Sequence, residues 1–354
     1  MKRPTFASRL LAWWDRHGRH DLPWQQARSP YRVWIAEIML QQTGTATVAN
    51  YFTRFVNRFP RLEDLAAADL DEVLHLWSGL GYYARARNLH RAAGIICREH
   101  RGRFPKDFDA VHALPGIGRS TAGAILALAH NQRHPILDGN VKRVLCRYHA
   151  VDEWPGKAAT ARELWRLADR HTPDDRVADY TQAIMDLGAT LCRRASPNCA
   201  HCPLASGCRA KRESRVTTVP VTRPRKALPN KEAVVLLVTS ANGAVLLEKR
   251  PLNGVWGGLW SLPVCEAGST PEDWCQQFLG ERPPVIEELP PIIHTFTHFR
   301  LHMQPVRAGF ATRPDPRMKD REWLWYNIGE APRIGLAAPV AQLLRDIAQR
   351  REAA

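Results

Sequence analysis

Two carboxylates in the first half of the chain occupy positions where chemistry is possible. In VWIAEIML, residues 33–40, Glu37 is the only charged side chain among eight. Glutamate is seldom buried without a partner, and an apolar setting favours its neutral form, moving its pKa toward the range useful to a general acid near neutral pH. The competing reading puts Glu37 on a helix's solvent stripe or in an ion pair with a basic residue. Asp138, in PILDGNVKRVLCR, stands just before a helical pattern. There it reads as an N-cap, a role compatible with catalysis because a capping aspartate is held still and kept ionised. Two carboxylates in unlike environments suit cleavage of a glycosidic bond. One protonates the leaving group, and the other meets positive charge developing on the sugar.

A second chemical signal is the run CRRASPNCAHCPLASGC, with Cys192, Cys199, Cys202 and Cys208 in the pattern C-x6-C-x2-C-x5-C. Disulfides belong to secreted chains, and MKRPTFASRLLAWWDRHGRH has no apolar run suited to a signal peptide or membrane anchor. A metal centre is therefore the favoured reading, and spacing alone leaves zinc and an iron–sulfur cluster both open.

The elements that must hold these groups fall into two parts. Up to about residue 210, segments such as RVWIAEIMLQQT, RNLHRAAGIICREH and STAGAILALAH carry apolar residues at helical spacing. Residues 211–231 are rich in Pro, Arg and Thr, lack periodicity and read as a linker. Beyond it, EAVVLLVTS, GAVLLEKRP, TFTHFRLHM and VRAGF read as strands, and PEDWCQQFLG and VAQLLRDIAQRR as helices. The expected fold is thus an all-α domain over 1–210 and an α+β domain over 232–354, with no internal repeat. Within the first, LPGIGRSTAGAIL (114–126) places Gly116 and Gly118 in a tight turn before a helix, with backbone amides free for a phosphate oxygen. Ala122, Gly123 and Ala124 allow that helix to pack closely. The arrangement resembles a helix–hairpin–helix grip on a DNA backbone. The chain has 354 residues, 45% hydrophobic and 24% charged, as in an ordinary globular protein. Lys and Arg total 50 against 35 Asp and Glu, a formal charge of +15, which favours a polyanion: nucleic acid first, an anionic membrane second.

Glu37, the hairpin, Asp138 and the cysteine run, in that order on a helical half, resemble the endonuclease III superfamily of DNA glycosylases. The resemblance is strongest to its adenine-specific family, whose members add a C-terminal domain related to Nudix hydrolases, and it covers nearly the whole chain. It implies that Cys192, Cys199, Cys202 and Cys208 hold a [4Fe–4S] cluster, with Arg193, Arg194 and Arg209 near DNA phosphate. It implies hydrolytic removal of adenine opposite 8-oxoguanine or guanine in double-stranded DNA, by a monomer in the cytoplasm, at the nucleoid, with no membrane partner. Glu37 would protonate adenine at N7, Asp138 would stabilise the oxocarbenium ion and Asn140 would position the two. Gln42 and Tyr82 would wedge into the duplex as the adenine flips out. Superfamily members that also cut the strand carry a lysine where this chain has Ser120, so a monofunctional enzyme is expected.

The C-terminal half lacks the R-E-x-x-E-E core of active Nudix hydrolases, so the resemblance points to reading of the oxidised base instead. The family's Phe-Ser-His loop is here Phe296, Thr297 and His298. His294, His298 and His302 are spaced like a helical zinc site, but the strand-like alternation around them argues against one. Rival readings are a glycosylase for thymine opposite guanine and a non-catalytic DNA-binding protein stapled by its metal.

Overall fold

The computed structural model describes residues 4–223, 227–266, 268–317, 321–328 and 334–352. By its contacts the chain forms two compact units: Met1–Ala67 with Asn88–Pro224, and Ala68–Arg87 with Arg225–Ala354. The first is helical and the second contains the sheet, as the sequence pattern leads one to expect. Among the described residues, no helix is long and apolar enough to cross a membrane.

The centre of the first unit is the helix Pro30–Leu40. Ser29 caps it, accepting from the Arg32 amide at 3.2 Å, and Pro30 supplies a preset first turn. Apart from Arg32 and Glu37 its side chains are predominantly apolar, with Tyr31, Val33, Trp34, Ile35, Ala36, Ile38 and Met39 buried. A helix so largely apolar must be enclosed. The helices Thr45–Arg58 and Arg119–His130 pack against it. The helix Val177–Thr190 in turn contacts Arg119–His130, Gly139–His149 and Phe6–His17.

Residues 211–223, read from composition as linker, are not free chain. A short helix covers Arg209–Arg212, and Val219 is 1% exposed in the core of the first unit. Arg147 Nε donates to the Val219 carbonyl at 2.9 Å. The stretch lacks periodicity because single side chains, not a helical face, hold it down.

In the second unit, β1 (Asn230–Ser240), β2 (Val245–Lys249), β3 (Trp260–Ser261), β4 (Val285–Glu288), β5 (Ile292–Thr295), β6 (Arg300–Phe310) and β7 (Trp323–Tyr326) form one sheet. Its order is β3-β2-β1-β6-β4, with β5 also on β6 and β7 on β2. Among the described strands β1 and β6 run parallel, in register from Asn230↔Arg300 to Ser240↔Phe310, and the other strand pairs are antiparallel. The VVLLV run explains burial on both faces. Leu236 and Val238 pack under the helix Pro271–Leu279, while Val235 and Leu237 pack under Ala338–Glu352. TFTHFRLHM and VRAGF are not separate strands: residues 300–310 run unbroken through Pro305. Proline is tolerated because β5 pairs residues 300–303 and β4 pairs 306–309, leaving Pro305 beside the break between them.

Residues 68–87 come from the helical half yet pack with this sheet. Trp260 Nε1 donates to Asp71 Oδ2 at 3.1 Å, and Lys249 Nζ lies 3.3 Å from the same oxygen. His75 Nδ1 is 3.2 Å from the Ile334 carbonyl, and Arg87 donates to the Gly257 carbonyl at 2.5 Å.

Candidate functional site

A cleft of about 920 Å³ opens in the first unit, and both carboxylates line it together with Arg19, Ser120, Asn140 and Gln182. Glu37 reaches it from the middle of the enclosed helix. Loss of hydration, with a smaller contribution from the negative charge of Asp138, pushes its pKa up to about 8. The helix is buried along most of its surface, and no cation is among the causes of the Glu37 shift, which argues against the solvent-stripe and ion-pair readings.

Asp138 caps the helix Gly139–His149, accepting from the Val141 amide at 2.7 Å. Burial raises the Asp138 pKa, and the Val141 and Asn140 amides, the Arg143 charge and the Asn140 side chain oppose that rise. The negative charge of Asp138 is in turn one cause of the rise at Glu37.

Asn140 is the second residue of the same helix. Arg143 Nη2 donates to Asn140 Oδ1 and to the Gly188 carbonyl, both at 2.7 Å, while its Nε donates to the Cys192 carbonyl at 2.7 Å. A Cβ on Gly188 would lie 2.6 Å from Asn140 Cβ, so only glycine lets the two helices meet here. Arg147, 2% exposed, donates to the carbonyls of Cys192, Arg193 and Arg194 and to Cys192 Sγ at 3.3 Å. Two arginines one turn apart thus tie the residues beside Asp138 to the start of the cysteine loop.

The hairpin lies on another wall. Gly116 has φ +81°, and a Cβ there would come within 2.9 Å of Asn88 Cβ. Gly118 does not need that freedom: its φ is −86°, it is the N-cap of Arg119–His130, and a Cβ would meet nothing within 4 Å. Gly123 permits close packing as expected, with the Pro135 carbonyl 2.8 Å from where a Cβ would be. Ser120 Oγ accepts the Leu137 amide at 2.9 Å, pinning the chain just before Asp138. Gln42 lines the cleft exposed, with φ +59°, a strained region for a side-chained residue.

The four cysteines line one almost wholly apolar pocket with Val144, Tyr148 and Leu187. All are free thiols. Burial lifts the Cys202 thiol to about 11, with the other three sulfurs adding to the rise, so four thiolates gathered here demand a cationic centre. Among the described residues, no three His, Cys, Asp or Glu side chains are disposed to hold a single metal ion. Four cysteine sulfurs around one pocket are a donor set that suits either zinc or an iron–sulfur cluster. Arg193, Arg194 and Arg209 are exposed on this loop.

In the second unit Tyr82 is 43% exposed and has φ +50°; it is not a core aromatic. Thr297 and His298 are exposed at the tip of a tight turn closed by the Phe296 amide on the Phe299 carbonyl at 2.8 Å. Phe296 is half-buried, stacked on Phe299 at 4.6 Å and set beside Trp256 and His294, so it anchors the turn. His294 and His302 stand on β5 and β6, not on a helix.

Sequence reasoning missed Arg143 and Arg147, and it missed Asp186. Asp186 is fully buried and accepts from the Arg19 amide and guanidinium at 2.5–2.9 Å, from Trp14 Nε1 and from Gln182. The available signal was MDLGAT, an aspartate one turn after Gln182 with apolar residues on either side.

Comparison with known proteins matches residues 35–170 to the HhH-GPD superfamily base excision DNA repair protein and residues 234–346 to the NUDIX domain. The chain is 36% identical over 349 residues to the adenine DNA glycosylase of Buchnera aphidicola, covering 98% of each. It is 36% identical over 359 residues to that of Mus musculus, covering 85% of this chain and 70% of the mouse protein. A solved thermostable thymine-DNA glycosylase is 28% identical with a TM-score of 0.54, over 59% of this chain and 95% of its own. Likeness to an adenine enzyme along nearly the whole length, including the sheet-bearing half, decides between these relatives: the chain belongs to the adenine DNA glycosylase family, within the helix–hairpin–helix base-excision superfamily.

Proposed function

We propose that this protein hydrolyses the N-glycosidic bond of adenine mispaired with 8-oxoguanine or guanine in duplex DNA. The observation that carries this reading is the carboxylate pair in one cleft, with Glu37 held protonated at neutral pH by burial. Glu37 gives its proton to N7 of the flipped adenine, making the base a neutral leaving group. Asp138, fixed by the Val141 amide, faces the sugar as it becomes cationic. Asn140, gripped by Arg143, keeps the two in register. Gly116, Gly118 and the N-terminus of the helix Arg119–His130 hold backbone phosphate, while Gln42 and Tyr82 fill the space the base vacates. Ser120 brings no amine to the sugar, so the strand stays intact.

Cys192, Cys199, Cys202 and Cys208 hold a [4Fe–4S] cluster. With that group bound, Cys192, Cys199, Cys202 and Cys208 would be tied to one centre, which would brace the loop as a rigid support. Arg193, Arg194 and Arg209 then face DNA phosphate from a fixed surface. In the second unit the Thr297 hydroxyl and the His298 imidazole read the edge of the base opposite the adenine. Thr297 has a methyl where the family has a bare serine, and its exposed position leaves that methyl room.

Single-turnover excision on duplexes with A opposite 8-oxoguanine, A opposite guanine and T opposite guanine tests the reading. Adenine release on the first two and none on the third is expected; thymine release, or no release at all, refutes it. Changing Thr297 and His298 together to Ala should slow the 8-oxoguanine substrate by roughly 5- to 100-fold, the loss of one base-edge contact, and the guanine substrate much less. Equal loss on both would remove base reading from this turn.

A further inference from the structure

The loop that presents Tyr82 is built against its own backbone preference. Gly79, Gly81 and Tyr82 all lie in the left-handed region, with φ of +99°, +71° and +50°. Glycine tolerates this; tyrosine does so only where surrounding groups over-determine it. Arg85 supplies much of that constraint. Its Nη2 donates to the Leu80 carbonyl at 3.2 Å and the Gly81 carbonyl at 3.1 Å. Its guanidinium carbon lies 5.4 Å from the Trp77 ring and 5.4 Å from the Tyr82 ring. The Arg85 amide closes the turn on the Tyr82 carbonyl at 2.8 Å, and Trp77 Nε1 adds a bond to the Gly81 carbonyl. Arg85 itself is 8% exposed while the ring it supports is 43% exposed.

We propose that Arg85 is the positioning residue for the Tyr82 wedge, locking the left-handed loop through the Leu80 and Gly81 carbonyls and presenting the Tyr82 ring outward for insertion into the duplex. The proposal rests on the reading of Tyr82 as a wedge. Arginine fits because one terminal nitrogen, Nη2, bonds two successive carbonyls while the guanidinium plane lies near both the Trp77 and the Tyr82 rings. Burial lowers the Arg85 pKa to about 10, which still leaves it a cation at neutral pH. Lysine keeps the charge but loses the guanidinium plane that holds Nη2 on both carbonyls and lies near the two rings. Without that plane the Tyr82 backbone relaxes, and the ring must be ordered again each time it enters DNA.

The test is a cycle of Arg85→Lys, Tyr82→Ala and the double variant, each in the full chain. One readout is single-turnover excision of adenine opposite 8-oxoguanine. The other is the fluorescence of 2-aminopurine placed as the target base, in a Glu37→Gln background so that flipping is seen without cleavage. Arg85→Lys should cut both excision and the flipping signal about tenfold, equivalent to ~1.4 kcal/mol, with an unchanged melting temperature. Adding it to Tyr82→Ala should cost little more than Tyr82→Ala alone, because Arg85 acts through that ring. Additive losses, or wild-type flipping in Arg85→Lys, would overturn the proposal. If Tyr82→Ala itself flips and excises normally, the wedge reading falls and takes this proposal with it. If only Tyr82→Ala is impaired, the wedge stands and Arg85 has no part in it. Arg85→Met serves as the stronger variant, its melting curve separating lost positioning from lost folding.

Discussion

Replacing Glu37 by Gln should inactivate the protein and at the same time make it more stable in alkali. The folded state holds this carboxyl at about 8 against an ordinary 4.5, a rise of 3.5 units caused first by burial and then by Asp138. A group whose pKa is raised on folding stabilises the fold fully below its unfolded pKa, and that contribution is lost as pH rises through the folded value. For Glu37 the window runs from about 4.5 to about 8. At 1.36 kcal/mol per unit, the strain relative to a neutral isostere is about 3 kcal/mol at pH 7 and close to ~5 kcal/mol at pH 9, as an upper bound. Glutamine has the same shape and no charge, so it escapes the loss. Denaturant unfolding of wild type and Glu37→Gln at pH 5, 7 and 9 should show two nearly equal stabilities at pH 5 that diverge as pH rises, with the variant ahead. The same variant should bind mismatched duplex yet release almost no adenine, since an amide has no proton to give. Wild-type excision should fall as pH passes about 8, where the acid form is lost. Equal stability at pH 9, or a variant that is less stable there, would mean that the carboxylate is hydrated or paired, and the argument for Glu37 as a general acid would fail with it.

Ser120→Lys should introduce strand cleavage trappable with borohydride. It should also destabilise the fold by about 1–3 kcal/mol, because the Leu137 amide loses its acceptor; efficient trapping by wild type at a specific lysine would contradict the monofunctional assignment. Gly188→Ala forces a Cβ to 2.6 Å from Asn140, so excision should drop more than duplex affinity, with a stability loss of about 1–3 kcal/mol. Normal excision by that variant would dismiss Asn140 as a positioning group. Purified protein should contain iron and acid-labile sulfide and absorb in the near-visible; a colourless, active protein holding one zinc would overturn the cluster assignment.

Much of the site was legible because its residues contradict their local context. Glu37 is a charge inside an apolar run, and four cysteines share one short stretch. Gln42 and Tyr82 became visible only through resemblance; in sequence nothing distinguishes them from a helix end and a core aromatic. What stayed hidden depends on distant partners. Arg19 and Asp186 are 167 residues apart, and even where MDLGAT hints at a buried aspartate the sequence does not show which cation meets it. Arg143 and Arg147 look like the polar face of a helix, yet the former grips Asn140 and the latter is almost wholly enclosed. The short strands β3 and β7 escaped because two to four residues give no measurable alternation.

The docking of residues 68–87 on the sheet limits how this protein can be rebuilt. Leu74 and Trp77 are completely buried there, and Asp71, His75 and Arg87 bond to residues between 249 and 334. A chain cut at the linker would retain the helix Leu70–Trp77 and strip away the surface that covers it, exposing an apolar face. A chimera that joined this helical half to another protein's sheet would meet the same mismatch unless residues 68–87 were exchanged as well. By contacts the second unit begins at Ala68, some 140 residues before the point at which the composition changes.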